Sequence, residues 1–229
     1  MKRHSSATIA TIFTIAGIAK AVLPEMPWRK SFQYLKEKAV RKLLLAVILF
    51  ASNLACSAVD IAGIKYEDKS ALGANELQLN GAGTRSRFFI KVYTIALYLP
   101  EKKTTTADAL SVKGAKRLHV VTLMELTAEK FADALVEGIH KNHSDAETEP
   151  LKARIEEFKN AILSAKTANK GDVVTIDWLP ESGTRLSING KQLGKDIAGE
   201  DFYRALLRIW LGSKPAQDDL KEALLGKPN

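Results

Sequence analysis

The chain is poor in several things at once, and each shortage removes a class of function. Among 229 residues there is one cysteine, Cys56. A single thiol near the start leaves no disulfide framework and no cysteine-rich metal site. Proline and glycine form no linker between 60 and 225, so one domain is the expected organisation there. No internal repeat or low-complexity tract is visible. Apolar runs stay short of the roughly 20 residues that a membrane span requires. The nucleophile-elbow, HExxH and dinucleotide-loop patterns are also missing, which removes the commonest hydrolase, zinc-protease and nicotinamide signatures. The Gly81-x-Gly83 pair has neither the third glycine nor the following helix of a dinucleotide loop.

The net charge of +8 is concentrated at one end. Residues 1–58 hold nine of the 34 Lys and Arg but only Glu25 and Glu37 of the 26 acids, leaving 25 basic against 24 acidic side chains in the rest. The body of the chain is therefore near neutral and carries no electrostatic footprint for nucleic acid. The charged end reads as a secretory leader. Arg41 and Lys42 precede an apolar core from Leu43 to Ala55, and the small residues Cys56-Ser57-Ala58 follow. Positive flank, short apolar core and small-residue site describe a signal peptide, and hence a periplasmic protein that meets the membrane only through its leader. An uncleaved anchor is the alternative. Lipidation of Cys56 is disfavoured by Asn53 three residues before it. A second apolar run, Ala7 to Ala19, makes Met26 the better start and residues 1–25 a mis-assigned extension.

From residue 59 the pattern alternates between short strands and helical stripes. Val59–Tyr66, Leu77–Asn80, Phe88–Leu99 and Arg117–Leu123 read as strands. The second half of Phe88–Leu99 is apolar at every position, as for a strand covered on both faces. Thr127 can cap a helix striped by Phe131, Leu135 and Ile139. Ser144 and Glu147 have capping-box spacing, and Pro150 offers a second helix start before the stripe Leu151, Ile155, Phe158, Ile162. Asp172–Leu179 and Thr184–Ile188 form a hairpin, Asn189-Gly190 a tight turn, and Phe202–Trp210 and 216–225 closing helices. The class is α+β, an antiparallel sheet with helices layered on one face.

The richest segment is Leu77 to Pro100, LQLNGAGTRSRFFIKVYTIALYLP. Its first strand breaks at Gly81-Ala82-Gly83, then sets Arg85 and Arg87 before an apolar, aromatic run. Glycines let a backbone bulge or a ligand approach, and an arginine beside them can hold an anion through paired donors. A hairpin corner with solvated arginines is the plain alternative.

Asn80 to Arg85, followed by Lys91-Val92-Tyr93-Thr94-Ile95-Ala96-Leu97-Tyr98-Leu99, resembles the glycine–arginine segment of the chalcone isomerase family, and most of all the bacterial chalcone isomerase-like proteins. The resemblance extends from about Ala62 to Leu225. It implies an open-faced β-sandwich with a ligand cleft between the large sheet and the helices. It also implies that Arg85 holds the anionic part of a ligand, and that Tyr93 joins it in gripping a carboxylate, as in fatty-acid-binding members. Arg87 and Lys91 share the parity of Tyr93 and add positive potential at the rim. Catalytic members carry threonine where Tyr93 stands, and their later tyrosine and asparagine pattern is not found in 116–140.

The expected function is thus non-enzymatic binding of a fatty acid or similar amphipathic acid, with no cofactor and no metal. Arg85 and Tyr93 would hold the head, and helices 127–142 and 150–166 the tail. An intramolecular lyase of chalcone isomerase type, using Arg85, is the first alternative. An envelope interaction protein with a vestigial cleft is the second. One geometric condition follows. A straight strand would hold Arg85 and Tyr93 about 26 Å apart at roughly 3.3 Å per residue, so the chain must reverse between them although no Asn-Gly or Asp-Gly turn is present. His140 and His143, three apart at a helix end, need no metal to be favourable there. His119 is expected to be structural and Tyr98 to pack in the core on the other face.

Overall fold

The computed structural model describes residues 58–227; the leader, its cleavage site and the question of Met26 lie outside the described residues apart from Ala58 itself. Its centre is a seven-stranded sheet, antiparallel at every pairing. In spatial order it runs β3 (Lys69–Leu72), β4 (Asn75–Arg87), β5 (Ile90–Leu99), β6 (Lys116–Thr122), β9 (Val173–Leu179), β10 (Gly183–Ile188) and β11 (Lys191–Ile197). Two meanders therefore meet at β6 and β9. The short pair β7 (Leu126–Thr127) and β8 (Thr167–Ala168) ties off the helical excursion between them.

That excursion contains α2 (Ala128–Lys141), a one-turn α3 (Asp145–Thr148) and α4 (Lys152–Leu163), after α1 (Thr106–Ser111) has linked β5 to β6. Thr127 caps α2 as its spacing predicts, its hydroxyl accepting from the Lys130 amide. Both candidate starts after it are used: Ser144 and Glu147 form a complete capping box on α3, and Pro150 sits in the 3-10 turn that leads into α4. The chain closes with α5 (Glu200–Leu211) and α6 (Asp218–Leu224).

The sheet is buried on both sides. On the helical side Ile95, Leu97, Leu118, Val120, Val174 and Ile176 pack beneath α5, whose Phe202, Tyr203, Leu206, Leu207 and Trp210 are almost fully enclosed. Each such side chain contributes about 1.5–3 kcal/mol relative to exposure. On the other side Tyr66, Leu72, Leu77, Leu79, Ala96 and Tyr98 make a smaller core. It lies where β1 (Ala58–Ile61) and β2 (Ile64–Glu67) cover the sheet. This hairpin corrects the reading of Val59–Tyr66 as one strand, because Ala62 and Gly63 turn the chain with positive φ. Tyr98 packs on that second face, its hydroxyl donating to the Glu67 carbonyl at 3.0 Å. His119 meets the Tyr66 ring edge-on.

Two departures from regular pairing decide where the glycine–arginine segment points. The strand does not break at Gly81; β4 runs on to Arg87 with a bulge at Asn80, since Leu79 pairs Tyr98 but Gly81 pairs Leu97. An extra residue reverses the parity of everything after it. Leu77 and Leu79 face the second core, whereas Gly81, Gly83, Arg85 and Arg87 face the helices. The reversal between Arg85 and Tyr93 then occurs at Phe88 and Phe89, with φ of 48° and 66°. A two-residue turn with both φ positive is the hairpin geometry that Asn-Gly normally supplies. β5 accordingly begins at Ile90, two residues later than the sequence pattern indicates.

Candidate functional site

Arg85 and Tyr93 are direct cross-strand partners, which meets the geometric condition that a straight strand would have failed. A second bulge follows at once: Arg85 pairs Tyr93 but Ser86 pairs Lys91, so Val92 is the extra residue. Val92 and Tyr93 consequently line the same space, together with Ile90, Arg85 and Arg87. Lys91 does not. The parity that grouped it with Tyr93 is reversed by this bulge, and Lys91 is exposed, away from the lining.

The space is a cleft of about 760 Å³, within the range of small-molecule sites. The β4–β5 hairpin forms one wall. α2 forms another through Lys130, Phe131, Ala134, Leu135 and Gly138, and the end of α5 a third through Ile209 and Trp210. The segment Lys214-Pro215-Ala216 and Met124 complete it. α4, expected to cover a ligand tail, packs against α2 and β11 instead and contributes nothing to this lining. Its Ile162 borders a separate hollow of only about 30 Å³, which meets the cleft at Leu126 and Phe131.

Charge in the cleft is uneven. Arg85, Arg87, Lys130, Lys141 and Lys214 face it, against Asp133 and Glu137. Glu137 pairs with Lys141 at 2.6 Å and Asp133 with Lys159 at 3.5 Å. An anion entering the cleft meets an excess of positive charge.

Tyr93 is nearly buried, and its phenol oxygen accepts a hydrogen bond from the Trp210 indole at 2.9 Å. Indole can only donate, so the phenolic proton is left for a second partner. Burial pushes the Tyr93 phenol above its ordinary 10.0, opposed by the Trp210 hydrogen bond and the charge of Arg85. The group therefore enters any encounter as a neutral donor.

Arg85 is half-buried and held from one side. Its Nη1 donates to the Ser86 carbonyl and, at 3.1 Å, to Gln217 Oε1. The same Gln217 oxygen accepts from the Ser86 amide at 2.8 Å, and Gln217 Nε2 donates to the Thr84 carbonyl at 3.4 Å. Gln217 thus staples α6 to β4 and fixes the guanidinium. Among the described residues, Nε and Nη2 of Arg85 have no protein acceptor, which leaves a planar edge of donors for a carboxylate. Neither Gln217 nor Trp210 was signalled by the local pattern, because each reaches the site from more than a hundred residues away.

The glycines have a structural partner. A Cβ at Gly81 would lie 2.0 Å from the Ala223 carbonyl oxygen, and one at Gly83 2.8 Å from Leu220 Cδ1. What approaches the bare backbone is α6. Asn80, at the bulge, holds the end of that helix: its Nδ2 donates to the Leu224 carbonyl at 2.7 Å and to the Lys103 carbonyl at 2.9 Å, and its Oδ1 accepts from the Lys103 amide at 2.6 Å.

Comparison with known proteins bears on this architecture. The family described as chalcone isomerase-like matches residues 58–226, well over half the chain. The chain belongs to the chalcone isomerase-like family. Among solved structures, a fatty-acid binding protein of Arabidopsis thaliana superposes with a TM-score of 0.57 at 14% identity, covering 74% of this chain and 96% of its own. At that identity the likeness establishes the fold, a curled antiparallel sheet with helices, as the sequence resemblance implied. No curated protein matches the chain in sequence.

Proposed function

We propose that this member of the chalcone isomerase-like family is a non-enzymatic binding protein for a fatty acid or a similar amphipathic acid. The observation that carries the reading is the cross-strand pair of Arg85 and Tyr93 on the wall of a cleft lined by apolar side chains and a surplus of cations. The guanidinium offers its free edge to a carboxylate and the phenol adds a neutral donor, while Phe131, Leu135, Ile209 and Val92 face the chain behind the head group. Charge-assisted bonds of this kind strengthen where water is excluded. The fold shared with a plant fatty-acid binding protein supports the ligand class. Arg87 belongs to the rim and would raise the local concentration of anions rather than grip them. Export to the periplasm, through cleavage after Ala58, is part of the proposal; a mature N-terminus at Val59, read by mass spectrometry of the native protein, tests it.

Calorimetry of delipidated protein with a long-chain fatty acid tests the binding. The wild type binds, and Arg85→Ala loses at least about tenfold, the equivalent of about 1.4 kcal/mol. No heat of binding from the wild type removes the reading. Turnover of a chalcone or related enone, lost on replacing Arg85, would instead assign the isomerase chemistry of the family.

A further inference from the structure

Among the described residues, large apolar side chains stand in the open beside the cleft at the tip of the β4–β5 hairpin. Phe89 is 104% exposed, Phe88 82% and Ile90 59%, and Met124 on the neighbouring loop is 39% exposed. Phe88, Ile90 and Met124 line the mouth of the cleft; Phe89 lies beyond it. Both phenylalanines occupy left-handed backbone, a conformation that bulky residues rarely adopt. Asn-Gly would make this turn without strain and without exposing an aromatic ring. Neither ring belongs to a core cluster among the described residues; the Arg87 guanidinium lies over the Phe88 ring, 5.5 Å from its centroid. Among the described residues nothing buries the two rings, and a strained turn that holds them in the open calls for a partner.

The surroundings specify that partner's chemistry. Arg87 and Lys91 flank the tip on its two strands, and Lys130, Lys141 and Lys214 border the cleft that opens beneath it. The two carboxylates there, Asp133 and Glu137, already face Lys159 and Lys141. Apolar rings at the apex of a narrow projection, with cations behind them, match the depth profile of an anionic bilayer: acyl chains below, phosphates above. A flat apolar face would fit a protein partner better.

We propose that this hairpin docks the mouth of the cleft onto an anionic lipid surface, the phenyl rings of Phe88 and Phe89 entering the acyl region and the neighbouring Arg and Lys side chains meeting the headgroup phosphates. The orientation turns the cleft opening to the membrane, so an amphipathic ligand exchanges without crossing water. Docking goes beyond the fatty-acid reading and does not require it, since the bilayer is recognised by the tip and not by Arg85 or Tyr93.

The test uses the full chain with Cys56→Ser and Phe89→Cys, the new thiol carrying an environment-sensitive fluorophore. Vesicles of phosphatidylcholine with phosphatidylglycerol are compared with phosphatidylcholine alone, without free fatty acid. The expected result is a blue shift and an emission rise of at least about twofold on the anionic vesicles only, reversed by high salt. The same label at Lys195→Cys, on the far edge of the sheet, stays in water, so a signal shared by both positions marks adsorption of the whole chain and not docking by the tip. Position 89 makes no buried contact, and an unchanged thermal midpoint certifies the labelled fold. No shift at 89, an equal shift at 195, or an equal shift on neutral vesicles overturns the proposal. Because no cleft ligand is present, these outcomes are independent of whether fatty acids bind.

Discussion

Trp210 and Tyr93 come together from α5 and β5 through a 2.9 Å hydrogen bond on the inner wall of the cleft. Its direction is fixed, since the indole nitrogen has a proton and no lone pair to offer. The bond therefore orients the phenol, and the orientation is paid for by helix packing rather than by a ligand. Arg85 stands opposite on the paired strand, anchored by Gln217. Two donors are thus held in place before any anion arrives, which lowers the ordering cost of binding.

Tyr93→Phe separates the two roles of the phenol. It keeps the ring and deletes the oxygen, so the buried Trp210 N–H loses its acceptor. The expected destabilisation is about 1–3 kcal/mol in chemical denaturation, with a several-fold loss of fatty-acid affinity. Arg85→Gln should lower affinity with a smaller effect on stability, since its partners are near the surface. Unchanged affinity in Tyr93→Phe would leave Arg85 as the sole grip. Because burial keeps the Tyr93 phenol protonated well past neutrality, wild-type affinity should be level from about pH 6 to 9 and weaken only as the ligand's own carboxylate is protonated.

The turn at Phe88–Phe89 makes a prediction of the opposite sign. Two non-glycine residues in left-handed backbone each cost about 1–3 kcal/mol, and neither ring recovers that by burial. Replacing the pair with Asn-Gly should therefore raise the thermal midpoint by several degrees. A lowered midpoint in differential scanning calorimetry would show that the rings pack on something within the chain.

How far the sequence announces this site depends on the range of the interactions that make it. Helix caps at Thr127 and Ser144, and the Asn189-Gly190 turn, are local and were legible because each is decided by residues within a few positions. The apolar second half of β5, covered on both faces, was equally plain, and so was the α+β layering. The two bulges were not. Nothing within a few residues of Asn80 or Val92 signals an extra residue; at Asn80 the partner is α6, whose terminal carbonyl takes the Asn80 amide. Lys91 falls outside the cleft because of the second bulge, at Val92, which reverses the parity it would otherwise share with Tyr93. The reversal between Arg85 and Tyr93 was required by their joint role but carried no local turn signal, because Phe-Phe is the wrong chemistry for it, which is itself the sign of a demand from outside the fold.

Acidification should weaken the fold in two windows. Burial, aided by the nearby Arg117, lowers the pKa of His119 below its ordinary 6.5. The folded state then binds this proton less readily than the unfolded chain, so stability falls as pH drops through 6.5. The Arg185 hydrogen bonds hold Asp196, and those of Arg154 hold Asp201, below the ordinary 3.8. Their contribution is complete above 3.8 and disappears as pH falls through the lowered folded values. Thermal midpoints at pH 8, 5 and 3 should show both steps, with His119→Gln reducing the first and Asp196→Asn the second. A His119→Gln chain with the wild-type slope between pH 8 and 5 would remove the first assignment.

Asn80 is where the direction of Arg85 is decided, and an isosteric change reads that out. Asn80→Asp keeps the oxygen that accepts from the Lys103 amide but sets the second oxygen against the Leu224 and Lys103 carbonyls. Two buried acceptors lose their donor and a charge is added, for an expected cost of about 2–5 kcal/mol. The damage should start at the closing helix. Hydrogen exchange of the α6 amides is expected to accelerate before that of β6 or β9, and ligand affinity to fall as Gln217 releases Arg85. Gly81→Ala attacks the same contact from the strand side, through a Cβ placed 2.0 Å from the Ala223 oxygen, and should give the same exchange pattern. If α6 stays protected in both variants while the sheet centre opens, the helix is not what holds the bulge, and the orientation of Arg85 has another cause.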